Sequence, residues 1–150
     1  MSYAVLPGAV EARNRTREMM EFLQTPLPTK AKLYYKIRTK YEGIKPFIFN
    51  EGQMQLHEHS EAQLEARGYI RTILCKSRQW GGSTYIQGRS YDKVAYGERG
   101  TKALIMTHKM EATGNLFAMT KRFHDSMPDR FKVYSPRASA TRLTFPRRDS

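Results

Sequence analysis

The chain is predicted to be an α/β protein, a mostly parallel sheet flanked by helices, with a helical extension at its N-terminus. Three observations carry this. Apolar, β-branched runs alternate with helical stretches in the order strand, helix, strand, helix, strand, the alternation of parallel sheets. A glycine pair, Gly81-Gly82, sits between the first of those runs and the helix after it, where such sheets bind ligands. The 150 residues suffice for one core built around a sheet.

Residues 10–23 (VEARNRTREMMEFL) read as the first helix, and the TPLPT stretch from Thr25 to Thr29 breaks it. Proline removes a donor and restricts the residue before it. Lys30–Tyr41 is basic and tyrosine-rich and reads as helical. Residues 1–45 thus form the helical extension, and 46–150 the nucleotide-binding part. Asn50, with Gln53 three residues on, is an N-cap followed by a reciprocal cap, opening a helix that runs to about Ala66 and stops at Gly68. Tyr69–Cys75 is the first strand. A helix spans Ser83 to about Tyr96, Gly97 and Gly100 mark a turn, and Lys102–Thr107 is the second strand. The helix at about 109–127 sets Leu116, Met119, Phe123 and Met127 on one face before Pro128. Phe131–Tyr134 and Thr141–Phe145 are further strand candidates.

Composition narrows the partners. Lys and Arg number 26 against 14 Asp and Glu, a formal charge of +12, which favours polyanions and nucleic acid above all. The cations are scattered, with mild clusters at Lys30–Lys45 and Arg137–Arg148, so backbone contact is expected rather than base reading. One cysteine, Cys75, argues against a disulfide framework and fits a reducing cytoplasm, at the inert end of a buried strand. The N-terminus carries no secretory pattern, and no apolar run approaches the ~20 residues that span a bilayer. His57 and His59, two apart, lack the i, i+4 spacing of a helical metal pair.

The loop carries the chemistry. A phosphate loop of the form G-x-x-x-x-G-K-[ST] cradles phosphate with backbone N–H groups and the next helix N-terminus, adds a lysine, and gives a hydroxyl to Mg²⁺. Here the corresponding residues are Lys76, Ser77, Arg78, Gln79, Trp80, Gly81, Gly82 and Ser83, with Thr84 behind. Gly81 and Ser83 stand where the form requires them. Gly82 replaces the usual lysine, and Lys76 the first glycine. Lys76 starts the same loop and is the proposed substitute cation, while Arg78 offers a planar fork for phosphate oxygens. A simple Gly-Gly turn with two incidental cations fits the same spacing.

Ser77–Thr84 resembles the deviant Walker A loop of the large terminase subunits of tailed bacteriophages, some of which carry their lysine at the first loop position, as Lys76 does here. Phe47–Gln53 resembles the adenine-recognition segment that precedes it in that family, with Gln53 on the base, although a helix cap alone also explains Asn50 and Gln53. Leu104–Lys109 resembles the family's second strand and its exit. The resemblance implies a partial P-loop NTPase fold that binds ATP and Mg²⁺, the metal through Ser83, in the host bacterial cytoplasm. It further implies double-stranded DNA, a portal protein and a small terminase subunit as partners, a ring-forming homo-oligomer at full length, and no membrane.

No apolar run ends in the Asp-Glu that ATP hydrolysis needs: Asp92, Asp125, Asp129 and Asp149 all lie elsewhere. The family's nuclease carboxylates are missing too, and the chain stops where further strands are expected. The sequence therefore reads as the first half of a packaging motor, binding nucleotide without turning it over. A helicase-like translocase fragment is an alternative, as is a basic nucleic-acid-binding or assembly module with a vestigial loop.

Overall fold

The computed structural model describes residues 7–136, 139 and 142–149. Its elements are α1 (Pro7–Gln24), α2 (Leu27–Tyr34), β1 (Lys36–Thr39), β2 (Gly43–Pro46), α3 (Glu51–Arg67), α4 (Gly82–Tyr96), α5 (Met110–Ser126) and a final 3₁₀ turn, Pro146–Arg148. Helices dominate, and the one sheet among the described residues is the antiparallel pair β1–β2. The mostly parallel α/β sheet of a partial P-loop NTPase fold, expected from the sequence, is therefore not what this chain forms.

The reason lies in what a strand needs. Tyr69–Cys75 and Lys102–Thr107 take no regular secondary structure, and no backbone hydrogen bond joins Thr72–Cys75 or Ala103–Met106 to any described residue. Ile73 is 94 % exposed, Leu104 83 % and Met106 79 %, whereas strands of a parallel sheet are covered on both faces. Phe131–Tyr134 pairs with no strand among the described residues, and of Thr141–Phe145 only Leu143 makes an isolated bridge, Thr141 lying outside the described residues. Cys75 is exposed, not buried at a strand end.

The sheet that does form comes from the stretch read as helical. α2 ends at Tyr34, and the chain turns back through a hairpin in the register Lys36↔Pro46, Ile37↔Lys45, Arg38↔Ile44, Thr39↔Gly43. One more bond, Phe47 N–H to Tyr35 O at 2.9 Å, fastens its base. Tyr35 and Phe47 are fully buried, so the hairpin is rooted in the core.

That core is aromatic. Phe22 stacks on Phe131 with centroids 4.5 Å apart, and Phe123 packs against Tyr35 and Phe47. Phe22, Tyr35 and Phe47 thereby bring residues from both sides of position 45 into one cluster. Rings bury large areas, but each tyrosine hydroxyl needs a partner. Tyr35 donates to Asp92 at 3.0 Å, Tyr96 donates to Phe131 O at 3.0 Å, and Tyr91 meets His124 Nδ1 at 3.2 Å. Burial first, then Asp92 and neighbouring tyrosines, raises the Tyr35 phenol well above its usual range; Tyr96 is pushed up to about 12. These hydroxyls stay protonated.

Among the rings lies a charge. The Lys30 ammonium is 3.2 Å from Asp92 Oδ1 and 5.0 Å from the centroid of Phe22, with its side chain 5 % exposed. No helix among the described residues is long and apolar enough to cross a membrane.

Removing one partner of a buried pair leaves an uncompensated charge, at roughly 3–5 kcal/mol. Asp92→Ala is expected to lose about 3 kcal/mol in denaturant titration, since Tyr35 loses its acceptor as well. The double change Lys30→Met with Asp92→Leu should recover most of that loss. Equal losses in both variants would contradict this account of the pair.

Candidate functional site

The loop read as phosphate-binding leads from Tyr69–Cys75 through a turn at 78–80 into α4. Gln79 has φ 63° and Gly81 φ 87°, both left-handed. Glycine takes that conformation freely, whereas Gln79 takes it at a steric cost to its Cβ. Such turns aim successive N–H groups into a concavity suited to anions, here at the start of a helix.

α3 fixes this path. Asn50 caps α3 through its side chain, accepting from Gln53 N–H at 2.8 Å, while Gln53 Oε1 accepts from Asn50 N–H at 2.9 Å. The reciprocal cap read from sequence is present. Both side chains then reach across to the loop: Asn50 Nδ2 donates to Trp80 O at 3.1 Å, and Gln53 Nε2 donates to Gly81 O at 2.8 Å. Gln53 is 4 % exposed, with both ends of its amide bonded within the protein.

Three ties repeat at a constant offset of 28 residues: Gln53 to Gly81, His57 to Tyr85 and Glu61 to Arg89. A constant offset at four-residue steps means that α3 and α4 run parallel, their N-termini side by side at the loop. Each terminus carries about +0.5 of a charge from its aligned peptides. Two such ends repel one another and attract an anion. Glu61 and Arg89 offset part of that repulsion further along. Burial alone raises the Glu61 carboxyl, but its hydrogen bond to Arg89 holds it below the ordinary value.

Trp80 closes the loop over the start of α3. A Cβ at Gly52 would fall 2.3 Å from the indole, so the ring lies directly on the Gly52 backbone. Gly82 is buried under Leu74, Lys76 and Trp80, each within about 3.0 Å of where its Cβ would stand.

Lys76, Ser77, Arg78 and Gln79 are exposed, and neither Lys76 nor Arg78 has a carboxylate partner among the described residues. Ser83 is half-buried, and its hydroxyl has no hydrogen bond to the described residues. Thr84 turns toward α5, 3.9 Å from Met119 Sδ. The structure thus brings Gln53 and Lys76–Ser83 together and directs Thr84 elsewhere. Among the described residues no group of three His, Cys, Asp or Glu stands ready for a metal.

Sequence reasoning found the loop and its cap but missed that Asn50 and Gln53 also bind the loop, and missed Gly52. A glycine in the first turn of a helix, in a chain with one tryptophan, was the available signal. His57 and Arg89 went unnoticed as a pair because 32 residues separate them.

Trp80 is the single tryptophan, so its emission reports on the loop alone. Gly52→Ala is expected to displace the indole, shifting emission to longer wavelength and increasing quenching by acrylamide. An unchanged spectrum would contradict the stacking.

Burial lowers the pKa of His57, opposed by Glu61 and reinforced by Arg89; burial and then Lys132 lower that of His124. A folded-state pKa below the unfolded value means that the unfolded chain binds more protons, so stability rises with pH. Stability is expected to be full above the ordinary histidine value of 6.5 and to fall as pH drops below it. Melting curves should show this, with His57→Gln flattening the slope; a slope of opposite sign would contradict it.

Comparison with known proteins finds no matching family model, no matching curated protein and no matching solved structure.

Proposed function

We propose that this chain binds the phosphates of ATP at Lys76–Ser83, as the nucleotide-binding part of a DNA-packaging motor similar to the large terminase subunits. The observation that carries the reading is the paired N-termini of α3 and α4, joined through Gln53 and Gly81, beneath a loop with left-handed residues at Gln79 and Gly81. Backbone N–H groups and two helix dipoles favour negative charge there. Lys76 and Arg78 add exposed cations with no carboxylate partner among the described residues, and the tight packing at Gly82 sets the loop backbone against the helix start.

The loop owes its support to α3, not to the carboxyl edge of a parallel sheet. Gln53 acts in this reading as the anchor of the loop, since both ends of its amide are engaged. Ser83 fits Mg²⁺ as one oxygen ligand beside the nucleotide's own, because its hydroxyl is accessible and unbonded among the described residues. The metal would neutralise phosphate charge. The activity proposed is binding without turnover, since Asp92, the aspartate on α4, is committed to Lys30 and Tyr35.

In that setting the resemblance supplies the partners: double-stranded DNA, a portal protein, a small subunit and further copies in a ring, within a bacterial cytoplasm. The +12 charge also favours a second reading, a basic nucleic-acid-binding module whose loop takes no nucleotide.

Thermal unfolding with millimolar ATP, ADP or an unhydrolysed analogue and Mg²⁺ separates the two. Ligand at ~100 times its Kd adds about 2.7 kcal/mol, a rise of roughly 5–10 °C for a domain of this size. Lys76→Ala with Arg78→Ala is expected to remove most of that rise. No rise in the unaltered protein overturns the nucleotide reading and leaves the second.

A further inference from the structure

The hairpin β1–β2 is absorbed by none of the above. Its base is fixed in the core by Tyr35 and Phe47, and its tip projects. Thr39 pairs with Gly43, leaving Lys40, Tyr41 and Glu42 as a three-residue loop. Thr39 Oγ1 accepts from Glu42 N–H at 3.0 Å and donates to Gly43 O at 3.2 Å. Gly43 has φ 76°, the left-handed conformation that closes such loops. The tip is therefore a defined shape.

It displays cations and a ring. Residues two apart share a face of a strand, about 6.7 Å from one another, so Lys36 and Arg38 line one face, with Lys40 following at the turn. Across the ladder Arg38 faces Ile44, which is 67 % exposed. Tyr41 is 85 % exposed, with the Lys40 ammonium 5.2 Å from its ring centroid. Glu42, the one acidic residue of the hairpin, pairs with Lys45 at 2.5 Å. Lys36, Arg38 and Lys40 have no carboxylate partner among the described residues.

We infer that this hairpin is a nucleic-acid-gripping ribbon, with Lys36, Arg38 and Lys40 on the phosphodiester backbone and Tyr41 against an adjacent base or sugar. Charge complementarity selects the partner: a row of free cations ending in an exposed aromatic ring suits a polyanion that also presents flat rings. Two-stranded ribbons enter the major groove of duplexes, and aromatic side chains stack on bases of single strands. The inference stands apart from nucleotide binding at the loop, because its readout needs no ATP.

The test is anisotropy of a labelled oligodeoxythymidine and of a duplex of matching length, titrated across salt with the full chain. Each neutralised phosphate contributes about 0.9 to the log–log slope for duplex and about 0.7 for single strands. Lys36→Gln, Arg38→Gln and Lys40→Gln together are expected to lower the slope by about 2–3, and affinity on the order of 100-fold near 0.1 M salt. Removing the same charge elsewhere, by Arg13→Gln, Arg15→Gln and Arg67→Gln, controls for overall charge and should do much less. Tyr41→Ala is expected to weaken single-strand binding on the order of 10-fold and duplex binding little. Circular dichroism and melting confirm that each variant folds. An unchanged slope in the hairpin variant, or an equal effect in the control, overturns the inference; no effect of Tyr41→Ala on either probe overturns the role of the ring.

Discussion

Two helices that begin side by side and run in the same direction shape the loop end of this molecule. Aligned dipoles put positive charge at both starts, an arrangement that needs ties to hold it. Gln53 supplies the main one: its oxygen caps α3 and its nitrogen holds Gly81 at the head of α4. Asn50 repeats the pattern on Trp80. The turn at 78–80, the seat of Trp80 on Gly52 and the close packing at Gly82 all follow from where these two amides pin the backbone. An anion at the loop would relieve the repulsion, so the proposed site and its support share the same residues.

The core holds α4 in a different way. A core dominated by rings joins α1, α2, α4 and α5, and the aliphatic residues of 69–75 and 102–107 are not part of it. Rings tolerate an ammonium on their faces, and Lys30 sits there, directed by Asp92. A buried pair adds little net stability, but it penalises arrangements that separate its members. Here it sets α2 against α4, and with Tyr35 it sets the root of the hairpin. The hairpin and the loop therefore share a foundation in α4.

The helices were legible because their signals are local. Asn50 with Gln53, and Gly68 in the left-handed conformation, bound α3 within a residue of the expected limits. The strands were not, because β-propensity states what a segment suits and not whether a partner exists. Tyr69–Cys75 and Lys102–Thr107 have the composition of strands, yet no strand among the described residues pairs with them. Lys30–Tyr41 fails for a different reason: lysine favours helix and tyrosine strand, so its signals are mixed, and Gly43, which closes the hairpin, lies beyond the stretch. Of the site, the loop was legible as consecutive residues. Its anchoring depends on contacts 28 and 30 residues apart, which no local pattern reveals.

Backbone amide shifts in a ¹⁵N-labelled sample titrated with an unhydrolysed ATP analogue and Mg²⁺ test the central claim most directly. The account predicts that the amides of Gln79–Thr84 move first and furthest, saturating together with that of Gln53. Shifts confined to other surfaces, or none at millimolar ligand, would contradict it.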